Sequence, residues 1–126
     1  GRDATDLDPV VIHPLPVHET VIGCVEQLGF TLKSADLEKG HVGSSSLGFY
    51  NEVEFKGRGK IPELALTFVT GPQQTEVLIE LQRRGLLASR ERTSTLVGPT
   101  LEPFDWQTAV HAHLEQLAQA SGRILG

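Results

Sequence analysis

The sequence predicts an α+β domain: an antiparallel sheet of four to five strands in a meander, flanked by an N-terminal helix over about 16–28 and a C-terminal helix over about 105–120. Three observations lead there. Apolar residues recur at helical spacing near both ends of the chain, they alternate with polar residues for most of the middle, and the connections between the alternating stretches are short. Short connections suit hairpins between antiparallel neighbours and leave no room for parallel crossovers.

The first eight residues, Gly1 to Asp8, hold too little apolar surface to offset the entropy of ordering them and read as a tail or a severed inter-domain linker. Residues 9–126 then form the single α+β domain. Pro9 to Ile12 has the β-branched run of a short strand, stopped by Pro14 and Pro16. Val17, Val21, Cys24, Val25 and Leu28 fall on one stripe of a helix. Glu19 complements the positive end of that helix, and Gly29 stands where a left-handed cap would end it. Gly23, in its middle, costs about 1 kcal/mol relative to Ala.

Strand patterning follows. Phe30 and Leu32 share one parity, whereas Ala35 and Leu37 take the other, and a bulge would explain the change of phase. Gly40 and the run from Gly43 to Ser46 mark a loop. Leu47, Phe49, Asn51, Val53 and Phe55 alternate with Tyr50, Glu52, Glu54 and Lys56, giving one buried face and one wet face. Leu64, Leu66 and Phe68 repeat the scheme, as do Val77, Ile79 and Leu81, with Leu78 an apolar intruder on the second face. Thr93 to Val97 has strand propensity with weak alternation and reads as a short edge strand. Asp105 is a candidate N-cap, and Trp106, Val110, His113, Leu114 and Leu117 make the second helical stripe, ended by Gly122.

Composition narrows the function classes. At 126 residues the chain is one domain, and eleven Lys and Arg against sixteen Asp and Glu leave a net charge of −5. Such a balance gives no positive field to attract a phosphate backbone, so nucleic acid is not an expected partner. The single Cys24 cannot form an internal disulfide, and no stretch is long and apolar enough for a transmembrane segment. A reduced, cytoplasmic protein is expected, and the opening at Gly1 without Met or leader reads as that of a trimmed chain or a fragment.

Few residues suggest chemistry. His111 and His113 are two apart on a helix and point to different sides, which disfavours a shared metal. His13 and His18 lie at the entrance of the first helix, where a Pro-flanked segment against a helix terminus accounts for them. Asp36, Glu38 and His41 could present ligands from a strand end, but Lys39 intervenes and a solvated strand end is the plainer reading. Glu52 and Glu54 share one strand face about 7 Å apart, a spacing that acid and base pairs also use. On the outward side of an otherwise apolar strand they are the ordinary wet face of a sheet. Ser44, Ser45 and Ser46 lack any activating neighbour pattern, Cys24 lies on an apolar stripe, and Lys56, Arg58 and Lys60 form a basic hairpin tip. No catalytic residue, metal or cofactor is expected.

Five ordered segments resemble a known family: Asp6 to Pro14, Leu28 to Glu38, Phe49 to Phe55, Glu63 to Phe68 and Glu80 to Gly85. Together they are similar to the C-terminal half of bacterial sporulation-control proteins of the SpoOM type, over nearly all of residues 6–85. The resemblance implies a non-enzymatic regulatory protein whose full-length form begins with an arrestin-like domain. It also raises an arrestin-like β-sandwich as the alternative fold, although two helices leave too few strands for two sheets. Asn51 stands where the family tends to have Gln, Ala65 where it often has an acidic residue, and Gln82 where Asp commonly precedes the Arg pair.

The functional expectation is therefore a regulatory interaction domain that binds a protein partner through an exposed sheet face or edge, its visible surface being Glu52, Glu54, Glu76, Glu80, Arg83 and Arg84. The N-terminal arrestin-like domain of the same full-length chain is a further expected partner. A small-ligand or lipid-binding α+β domain, with a cavity between the sheet and the Trp106 helix, is the alternative.

Overall fold

The computed structural model describes residues 16–42, 49–58, 61–82 and 93–120, with the side chains at 38–42, 49, 62, 82 and 120 outside that description. Its elements run α1 (Pro16–Gln27), β1 (Thr31–Val42), β2 (Phe49–Arg58), β3 (Ile61–Thr70), β4 (Gln74–Gln82), β5 (Thr93–Pro99) and α2 (Trp106–Ala120). The five strands form one antiparallel sheet in the order β1-β2-β3-β4-β5, a meander between two helices. This is the α+β architecture the periodicity predicts, with one sheet among the described residues where a sandwich needs two. The tail at 1–8, the short strand at Pro9 to Ile12 and the Ser44 to Ser46 loop lie outside the described residues.

The expected helical stripes form the core. Val17, Val21, Ile22, Cys24 and Val25 of α1 and Trp106, Val110, Leu114, Leu117 and Ala118 of α2 are buried. Both helices lie on the same side of the sheet, against Val53, Phe55, Leu64, Leu66, Phe68, Val77, Ile79, Leu81 and Leu96. Period-two alternation aligns these residues across the strands, as in the row Val53↔Leu66↔Ile79.

Both predicted caps are present. Gly29 has φ 99° and its N–H donates to Glu26 O at 2.9 Å, ending α1. Asp105 Oδ1 accepts from the Thr108 N–H at 3.1 Å and Oδ2 from the Thr108 hydroxyl at 2.7 Å, opening α2.

The predicted change of phase is a bulge at Lys33: Leu32 pairs with Phe55 and Ser34 with Glu54. A second irregularity departs from the sequence expectation. Gly40 does not open a loop; β1 continues through it to Val42, and the register slips again between Asp36 and His41. Three more residues of β1 than of β2 lie between those pairs, which lets a Gly and charge-rich segment stay in the sheet as a distorted edge.

Candidate interaction surface

With both helices on one side, the other face of the sheet is bare among the described residues. Cross-strand register places its side chains in rows: Glu54↔Ala65↔Glu80↔Thr93, Glu52↔Thr67↔Leu78↔Thr95 and Tyr50↔Val69↔Glu76↔Val97. Glu52, Glu54 and Glu80 thereby gather around a depression of about 100 Å³ that Ala65 and Thr67 also line. Ala65 is small, so Glu54 and Glu80 face each other across it, about 10 Å apart from backbone to backbone.

Glu76 is not part of that group. It lies two rows from Glu80 along β4, and with Val69, Pro72 and Gln74 it lines a shallow groove of about 200 Å³ at the β3–β4 turn. A larger open groove, about 660 Å³, continues from Pro72, Gln73 and Gln74 to Val97, Leu101 and Glu102. Leu101 is 77% exposed there and Val97 46%. Arg83 and Arg84 lie outside the described residues.

Positive charge meets this face only near the β1–β2 side among the described residues. Lys33 Nζ stands 3.9 Å from Glu54 and 4.0 Å from Glu63, both loose and solvent-screened. Of the basic tip, Lys56 is exposed and Lys60 is outside the described residues. Arg58 instead turns back: its guanidinium donates to Leu28 O, satisfying a carbonyl at the end of α1.

The remaining candidates disperse. Asp36 is exposed and its main-chain O accepts from Asn51 Nδ2 at 3.1 Å, while the side chains of Glu38 and His41 lie outside the description. His13 is outside the described residues, and among them no three His, Cys, Asp or Glu side chains come close enough together to hold a metal ion. His111 is exposed, whereas His113 Nδ1 hydrogen-bonds Ser94 Oγ at 2.7 Å, tying α2 to β5. Burial pushes the Cys24 thiol up, with the Asp105 charge adding to it, so this thiol is a poor nucleophile.

Where the C-terminal helix meets the sheet, the Trp106 indole is buried and lies against Gly98 of β5. A Cβ at Gly98 would come within 2.4 Å of its ring, so only glycine lets Trp106 lie on β5.

Sequence reasoning missed a buried polar seam. His18 is fully buried, bonds Thr70 Oγ1 at 3.1 Å and tilts against Phe68 at 4.8 Å between ring centroids. Burial alone holds its pKa below the ordinary imidazole range. Beyond it the Thr75 and Thr100 hydroxyls meet at 2.9 Å, and Thr100 donates to Gly71 O at 2.8 Å. The available signal was positional: His18, Val21, Ile22 and Val25 recur at helical spacing.

Comparison with known proteins agrees with the family that the sequence resembles. Residues 1–85 match the family described as SpoOM protein. A curated relative, the sporulation-control protein spo0M of Bacillus subtilis strain 168, is 33% identical over 89 residues, which cover 67% of this chain and 34% of the relative. The chain thus spans about a third of the length of the curated relative it matches. No solved structure matches. A match over two thirds of the chain, taking in the first helix and four of the five strands, makes this chain a member of the SpoOM protein family.

Proposed function

We propose that the chain is a non-enzymatic interaction domain of a cytoplasmic regulatory protein, forming the C-terminal part of a longer chain with an arrestin-like N-terminal part. It binds a protein partner through the face of the sheet that the helices leave bare. The observation that carries this reading is the one-sided layering: α1 and α2 cover one face, while the other presents Glu52, Glu54 and Glu80 around Ala65. Family membership and the relative's name as a sporulation-control protein support a regulatory setting. The exposure of Glu52 and Glu54 suits recognition better than proton transfer, which works best in a partly desolvated site.

The test is double charge reversal, Glu52→Lys with Glu54→Lys, in the full-length protein. Surface substitutions of this kind leave stability within about 1 kcal/mol. Denaturant midpoints are expected to stay close to wild type while recovery of co-purifying protein partners falls. Undiminished recovery of the same partners from a folded variant overturns the reading.

A further inference from the structure

The two edges of the sheet differ. β1 carries two register shifts and charged residues at Lys33 and Asp36, features that discourage another strand from pairing with it. β5 has neither: its pairing with β4 runs unbroken from Gln74↔Pro99 to Glu80↔Thr93, and its sequence, TSTLVGP, has no charge.

Hydrogen bonding shows which way the β5 backbone faces. The Thr100 N–H donates to Gln73 O at 2.9 Å, one step beyond Gln74↔Pro99 in the same register. Opposed residues bonded in this way alternate with residues whose N–H and C=O point away. Ser94, Leu96 and Gly98 therefore turn their backbone to β4, and Thr95 and Val97 turn theirs outward. Pro99 belongs to the outward series, where its missing N–H removes no ladder bond. Among the described residues no strand lies on that side of β5, and both Thr95 and Val97 are exposed.

We propose that this edge accepts an extended segment of a partner protein as a sixth strand, whose outward side chains run basic, β-branched, basic. The proposal rests on the protein-interaction reading above and names the partner's form. Backbone groups spaced along an open edge are matched only by another extended backbone. The order of side chains comes from the neighbouring strand: Glu76 stands beside Val97, Leu78 beside Thr95 and Glu80 beside Thr93. A strand added outside β5 lies about 10 Å from β4, within the combined reach of a Lys or Arg and a Glu side chain. Neither Glu76 nor Glu80 has an ion-pair partner among the described residues, so both are available to that strand. The β-branched position falls by Thr95 and Leu78. On the inner side, α2 lies over β5 with His113 bonded to Ser94, which calls for small side chains.

The probe is the peptide acetyl-Thr-Lys-Ser-Val-Ser-Lys-Thr-amide, titrated into the 15N-labelled chain. Saturable shifts of the Thr95 and Val97 amides are expected, with the Glu-for-Lys peptide binding at least about tenfold more weakly. Glu76→Lys with Glu80→Lys should reverse that preference. Thr95→Pro, which removes an outward N–H and no ladder bond to β4, should abolish binding; if it does not fold, the charge-reversed variant carries the test. Absence of shifts in β5 at about 1 mM peptide, or equal binding of both peptides, overturns the proposal. Partner recovery by the full-length protein separates the two readings. Loss with the Glu52 and Glu54 reversals but not with Thr95→Pro keeps the bare face and rejects the edge. Loss with neither rejects both.

Discussion

His18 is the residue at which sequence and structure part most instructively. Read along the chain, it follows Pro14 and Pro16 and belongs to a helix entrance; read around the helix, it faces the sheet. Its burial is tolerable because the imidazole is neutral and Thr70 partners it. Desolvation lowers its folded-state pKa below the unfolded value near 6.5, so the unfolded chain takes up the proton first. The resulting stability is complete above about pH 6.5 and is lost as pH falls toward the folded pKa. Urea midpoints at pH 7.5 and 5.5 should therefore diverge for the wild type and draw together in His18→Phe, which keeps a ring against Phe68. Equal acid sensitivity in both proteins would remove His18 as the cause. The positions of the strand threonines follow from alternation, since Thr70 continues the buried series of Leu64, Leu66 and Phe68 and Thr75 that of Val77, Ile79 and Leu81, whereas Thr67 has the other parity; the partners they meet, His18 and Thr100, come from elements that alternation along one strand does not relate.

Elements were more legible than single residues. Alternation and helical stripes place both helices and the four central and edge strands because burying one face is the dominant favourable term in folding. The β5 strand was visible through propensity alone; its weak alternation has a reason, since Gly98 sits beneath Trp106 where a larger side chain would be expected. The extent of β1 was not legible, because Gly and charge read locally as a loop and only pairing with β2 holds them in the sheet. The glycines of the first helix give a paired test. A Cβ added at Gly23 would meet nothing within 4 Å, whereas at Gly29 the φ of 99° and the Arg58 side chain at 3.2 Å oppose one. Gly23→Ala should raise stability by about 0.5–1 kcal/mol, and Gly29→Ala should lower it by about 1 kcal/mol or more. Thermal unfolding of the two variants, followed by circular dichroism, checks both signs. At the α2 terminus, the Thr108 hydroxyl and then its N–H hold the Asp105 carboxyl below its ordinary range. That cap favours the folded state above the unfolded pKa and weakens as pH falls through the folded one.

At the scale of the whole molecule, the candidate surface was legible in outline: period-two patterning assigns Glu52, Glu54, Glu76 and Glu80 to one face. Which of them meet was not, since that depends on strand order and register, and these place Glu76 in another row. The two helices, the sheet and the turns share one core, and Trp106 joins its last strand to its last helix. Loss of the α2 contact should therefore accompany loss of the sheet. Trp106 fluorescence and far-ultraviolet circular dichroism are expected to report the same urea midpoint, and separated transitions would show α2 to be an independently melting appendage. The inequality of the sheet's two edges bears on assembly as well. Fibres propagate only when every newly added subunit offers a fresh end like the one just consumed. With β1 spoiled and β5 the one usable edge among the described residues, copies of this chain have no such repeat to offer one another, so edge pairing between them stops at two copies and a bounded complex replaces open-ended polymerisation.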